Sequence, residues 1–212
     1  MVCQSIRSIL FFKCILILFS ALFPTASVQA LSSRFTSSRL PPLDTFVSQI
    51  KNDQADELRG VYVPEMLAAR IVQQPMGNNE FVSPRPGIVT QFGLASKFGS
   101  TGLLAHNYLA GQGFALLEEG QKFYLIYGDG QTLAFIVTEI LQYHALEPNS
   151  TSSDFVDLES GGRLTASALF LRVYDRPGQV IFQTCISAEG NRAWGRLFVV
   201  AEPILINHSA SR

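Results

Sequence analysis

Beyond Val61 the chain alternates short apolar runs with clusters of turn-forming residues. GIVTQFG, TGLLAHNYL, QKFYLIYG, TLAFIVTEILQY, QVIFQTCI and GRLFVVAE are rich in β-branched and aromatic residues and are separated by Gly, Pro, Asn and Asp. That is the pattern of strands. YGDGQT, residues 127–132, reads as a tight hairpin turn. Two segments carry a helical period instead. Phe46, Val47 and Ile50 follow a candidate N-cap at Asp44, polar residues fill 51–57, and Gly60 stands where a C-terminal cap belongs. In GGRLTASALFLRVYD, Leu164, Ala168 and Leu171 share one helical face, which predicts a short helix before the final hairpin. Many short strands, few helices and no βαβ alternation predict a mainly β fold, with an antiparallel sheet closed into a barrel or sandwich.

The final hairpin yields a specific geometric expectation. If residues 179–186 and 194–201 are its arms and the bend falls between Gly190 and Asn191, Cys185 and Arg196 lie equally far from the bend. They then face each other directly, with Cβ atoms roughly 4.5 to 5.5 Å apart. The intervening SAEGNRA contains the Gly and Asn that a turn requires.

The first thirty residues differ from the rest. Arg7 and Lys13 precede an apolar run from Cys14 to Phe23, and residues 25–30 are small and polar. This is the layout of a secretory signal peptide, with Val28 and Ala30 at the small-residue positions before a cut. The rival reading keeps the segment as an uncleaved membrane anchor. LSSRFTSSRLPP then reads as a flexible tether over 31–43, followed by a folded domain over 44–206 and a short tail over 207–212. The 212 residues are 47% apolar and 16% charged, enough for one sizeable core. Removing Arg7 and Lys13 from 16 Lys+Arg against 17 Asp+Glu leaves the exported part at net −3, a balance that does not suggest nucleic acid.

Export also changes the meaning of the cysteines. Cys3 and Cys14 lie in the leader, so Cys185 is alone in the exported domain and cannot form an internal disulfide. It is either a buried packing thiol or a reactive one. A guanidinium beside a thiol favours the thiolate, and its fixed donors can hold the oxyanion of a tetrahedral intermediate. A nucleophilic thiol also needs an imidazole to take its proton and return it to the leaving group. His106 ends the apolar run GLLAH and opens a glycine-rich stretch, the position in which barrels carry reactive groups on their rims. His144 reads as a surface or packing residue, and His208 lies in the tail.

The combination of LLAHNYLAGQGFALLEEGQKFYLIYGDG, then VIFQTC, then WGRLFVVAEP resembles the sortases, the surface cysteine transpeptidases of bacteria. The likeness covers about residues 60–203. It rests on a His after a small-residue strand end, a Thr-Cys pair ending one strand, and an Arg near the start of the next. In this chain these are His106, Thr184, Cys185 and Arg196. The resemblance implies a closed, antiparallel, sortase-like barrel of about eight strands with an N-terminal helix and one or two short helices. It implies catalysis by His106, Cys185 and Arg196, with Thr184, Ala105 and Asn107 against the substrate. The substrates would be a peptide or protein bearing a sorting signal and an amine acceptor, handled by a monomer at the cell surface, released or associated with the membrane through its N-terminal segment. No metal or other cofactor takes part in that chemistry. Ala105 and Asn107 stand where family members often have Gly and a basic residue, and Phe182-Gln183 replaces the more usual Leu and small residue. The L,D-transpeptidases want a glycine before the nucleophile and an arginine shortly after it, which Thr184 and Ser187 do not supply.

Two other readings stay open on sequence. The same residues with water as acceptor make a thiol hydrolase. In a noncatalytic surface barrel that binds peptide or glycan, Cys185 is packing, Arg196 an ion-pair residue and His106 a strand-end histidine. Asp154, Asp157 and Glu159 in SSDFVDLES lack the spacing of a calcium loop and read as a solvated connection, and Asp129 reads as a turn residue.

Overall fold

Ten strands and four short helices account for the regular structure of residues 40–205, the part of the chain described by the computed structural model. In chain order these are α1 (Leu43–Ile50), β1 (Leu58–Val63), β2 (Leu67–Gln73), β3 (Ile88–Phe92), α2 (Gly93–Ser96), β4 (Thr101–Leu104), α3 (Gly111–Phe114), β5 (Lys122–Tyr127), β6 (Thr132–Ala145), β7 (Phe155–Asp157), β8 (Arg163–Leu164), α4 (Ala166–Tyr174), β9 (Val180–Ala188) and β10 (Asn191–Pro203). The leader expected over 1–30, most of the tether and the tail over 207–212 lie outside the described residues. No described helix is long and apolar enough to cross a membrane.

The sheet runs β10-β9-β4-β3-β2-β1-β5-β6, and β6 pairs back onto β10, which closes an eight-stranded barrel. β7 and β8 extend from the far end of β6. Closure matches the sequence expectation, but the sheet is mixed rather than antiparallel: β2 pairs with β3 and β4 with β9 in parallel. Parallel neighbours need a crossover of a dozen residues or more. Residues 74–87 supply one between β2 and β3, and everything from α3 to α4 lies between β4 and β9.

Alternation along the strands sorts side chains into two layers. Val180 and Phe182 of β9 and Leu197, Val199 and Ala201 of β10 point into the barrel. There Phe182 sits between Phe114 and Phe123, with ring centroids 4.8 Å from each. Their neighbours Ile181, Phe198 and Val200 point outward and pack under α4 through Leu169, Val173 and Tyr174. Thr165 caps α4, its hydroxyl accepting from the Ala168 amide at 3.2 Å. The expected face of this helix differs from the observed one. Leu164 belongs to β8 and Leu171 is exposed, because the tertiary contact selects the stripe made by Leu169 and Val173 from a helix that is apolar on several sides.

α1 ends at Ile50, not near Gly60. Residues 51–57 form a loop, and Gly60 lies within β1, where a Cβ would fall 2.3 Å from Ile50 Cδ1. The glycine serves the close approach of helix to sheet rather than a cap. Asp44 is in the first turn of α1 and Pro42 is the N-cap residue, so the expected Asp44 cap is not formed. The last tether residues are docked, with Tyr62 Oη donating to the Pro41 carbonyl at 3.0 Å.

Candidate active site

The hairpin that joins β9 to β10 turns through Glu189 and Gly190, whose φ values are +51° and +74°. Two successive left-handed residues make the primed turn that matches strand twist, and glycine takes the second place without steric cost. Ala188 pairs with Asn191, so the bend lies one residue earlier than the sequence predicts. A bulge then leaves Arg192, Ala193 and Trp194 opposite Ser187 alone, and the ladder resumes at Ile186 and Gly195. Beyond this compensation, Cys185 pairs with Arg196. The expected juxtaposition therefore holds, although the bend lies one residue early and the bulge has no signal in the sequence.

Cys185, Gln183 and Ile181 share the outer face of β9, and Arg196 and Phe198 the outer face of β10. These faces form one side of a groove of about 510 Å³. His106, Cys185 and Arg196 all line it, and all three are half-buried. The opposite wall is apolar, built by Phe92, Leu94, Phe170 and Tyr174, while Glu80, Ser150 and Thr151 contribute polar groups. Tyr174 donates its hydroxyl to Gln183 Oε1, and full burial pushes its ionisation far above the ordinary tyrosine range.

His106 stands where the chain leaves β4. Its carbonyl accepts from the amides of Leu109 at 2.9 Å and Gly111 at 3.1 Å, which folds 106–111 into a compact turn. Thr184, one position before the cysteine, is on the inner face of β9 and 3% exposed. Its hydroxyl donates to the Ala105 carbonyl at 2.9 Å. A Cβ on Gly111 would come within 2.3 Å of Thr184 Oγ1 and 2.6 Å of the His106 carbonyl oxygen, so only glycine fits beneath the turn. Asn107 donates from Nδ2 to Ser187 Oγ at 2.8 Å and to the Arg192 carbonyl at 2.9 Å. Of the three residues expected against a substrate, Ala105 and Thr184 line the groove, and Thr184, Ala105 and Asn107 together tie the His106 turn to the hairpin that carries Cys185.

The guanidinium of Arg196 is held by backbone carbonyls: Nη1 donates to Ala193 at 2.8 Å and Gly195 at 3.0 Å, and Nη2 to Pro148 at 3.2 Å. Of its five N–H groups, the one on Nε and the second on Nη2 have no partner among the described residues. Among the same residues the Cys185 sulfur forms no disulfide. Thiol and imidazole share the groove without a hydrogen bond between them among the described residues.

The remaining sequence candidates lie elsewhere. His144 stacks on Trp194 at 4.3 Å and does not line the groove, and His208 is outside the described residues. Asp129 accepts from the Gln131 amide in the β5–β6 turn. Asp154 pairs with Arg163 at 2.8 Å. Asp157 accepts from the amides of Glu159 and Ser160, and the Ser160 N–H chiefly holds its carboxyl below the usual range. No group of three or more His, Cys, Asp or Glu among the described residues is arranged to hold a metal ion. A lowered carboxyl stabilises the fold fully above its ordinary value and ceases to do so as pH falls through the lowered one. Asp157→Asn therefore narrows the difference between urea midpoints measured at pH 7 and pH 3.

No protein-family model matches the sequence, and no protein of curated function does. Solved structures similar to this chain include sortase C1 from Streptococcus suis, at 16% identity over 77% of this chain and 78% of that one, TM-score 0.48. Sortase C-1 from Actinomyces oris is similar at 17% identity over 81% and 86%, TM-score 0.44. Sortase A from Listeria monocytogenes is similar at 14% identity over 72% and 89%, TM-score 0.43.

Proposed function

We propose that this chain is an exported cysteine transpeptidase of the sortase type, with Cys185 as nucleophile, His106 as proton carrier and Arg196 as oxyanion donor. The observation that carries the reading is the direct pairing of Cys185 with Arg196 on a half-open groove that His106 also lines. An extended peptide lies along the groove with its larger side chains against Phe92, Phe170 and Tyr174. The Cys185 sulfur attacks the carbonyl carbon of the scissile amide and its proton passes to His106. The C–S bond forms and the oxygen takes up the negative charge, which the Nε and Nη2 hydrogens of Arg196 stabilise. Collapse breaks the C–N bond, and His106 returns the proton to the departing amine. An incoming amine then attacks the thioester, loses its proton to His106 and expels the thiolate, which leaves a new amide. The reading extends to a monomer acting at the cell surface, carried there by residues 1–30 and either released or retained by them.

The test is product analysis on a panel of extended peptides, with and without an added amine. A new amide that forms only with the amine, at a rate that falls about 10²- to 10³-fold in Arg196→Ala, supports the reading. Hydrolysed peptide alone in both reactions would reassign the chain as a thiol hydrolase.

A further inference from the structure

We infer that Tyr108 is the positioning residue that orients the His106 imidazole, an inference that rests on the role given to His106 above. Histidines that carry protons in catalysis are commonly oriented by a hydrogen bond to the second ring nitrogen. Among the described residues neither nitrogen of His106 has such a partner. What holds the ring is a stack. The imidazole and the Tyr108 ring lie with centroids 5.2 Å apart and planes 16° from parallel, within the range of favourable aromatic pairs.

Core packing does not account for Tyr108, because the side chain is 49% exposed. Its ring partners among the described residues are His106 and the Arg192 guanidinium, whose carbon is 5.4 Å from the ring centroid. Arg192 lies in the bulge of the β9–β10 hairpin. Between the two stacked residues, Asn107 reaches the same hairpin through Ser187 Oγ and the Arg192 carbonyl. The stack through Tyr108 and the hydrogen bonds of Asn107 therefore both end on the hairpin that carries Cys185 and Arg196. Ring and sulfur are referred to one rigid element, and the stack fixes the angle from which the imidazole meets the sulfur.

The test uses the full-length protein and two readouts. In proton NMR, the ring current of Tyr108 displaces the imidazole C–H resonances of His106 upfield, assigned by their loss in His106→Gln. The displacement persists in Tyr108→Phe and disappears in Tyr108→Leu. Unchanged resonances in Tyr108→Leu overturn the inference. In peptide turnover, Tyr108→Leu lowers kcat about 10- to 100-fold with KM within about twofold, the signature of a misplaced group rather than a lost substrate contact, and Tyr108→Phe restores it. A change confined to KM overturns the inference and makes Tyr108 a substrate contact. If the natural chain turns over no peptide while the displacement is present and lost only in Tyr108→Leu, the transpeptidase reading falls and the positioning of His106 by Tyr108 stands.

Discussion

Cys185→Ala is expected to abolish the covalent intermediate and to lower peptide turnover about 10⁴-fold or more, while the barrel stays folded. The size follows from removing the atom that forms the acyl bond: what remains is the binding and oxyanion contribution of the groove. The fold survives because the side chain is half-buried on the outer face of β9 and leaves no enclosed cavity when truncated. A stability change within about 1 kcal/mol is expected. Intact-mass measurement after mixing with peptide checks both halves of the claim, with an acyl adduct on the natural chain and none on the variant, alongside matching thermal midpoints. Turnover at the natural rate by Cys185→Ala would remove the sulfur from the chemistry, and no turnover and no adduct with either chain would favour the noncatalytic binding barrel.

Phe182→Ala has the largest expected effect on folding. The ring is fully buried on the inner face of the same strand and stacks edge-on between Phe114, just beyond the His106 turn, and Phe123 of β5. Truncation removes the ring's burial and leaves a cavity that neither neighbour can fill without losing the other contact. A loss of about 3–5 kcal/mol is expected, against a total of about 5–15 kcal/mol for an ordinary domain. Urea unfolding measures it, and a loss below about 1 kcal/mol would mean that α3 is not anchored through this aromatic stack. The ring's volume lies inside the barrel and does not intrude on the groove.

The barrel and the core of the site were legible where the signal is local. Strands β3, β4, β5, β6, β9 and β10 announce themselves by apolar runs between turn residues, and the Cys185–Arg196 pairing follows from counting outward from Gly190. That count succeeded through two errors that cancel. The bend at Glu189 and Gly190 comes one residue early, and the bulge at 192–194 restores the register. Bulges have no composition of their own, and neither does the choice between parallel and antiparallel partners, which depends on where distant segments return. The inward direction of Thr184 was hidden for another reason. Period-two alternation assigns Thr184 and Cys185 to opposite faces, yet a motif read as a unit does not show that the Thr184 hydroxyl is taken up by the Ala105 carbonyl at the groove's edge. The link from Tyr108 to Arg192 leaves no local signal, because residues 107 and 108 meet residue 192 only after the barrel has closed.

The barrel interior is packed with apolar side chains, and β9 and β10 turn one face to it and the other to the groove. The same two strands thus serve as chassis and as workbench. Much of the facing wall comes from α2, α4 and the connections around them, none of which threads the interior. On the proposed function, specificity in such a design would be modular: new peptide preferences would arise by exchanging outer segments, while the aromatic stack inside keeps the sulfur and guanidinium in step.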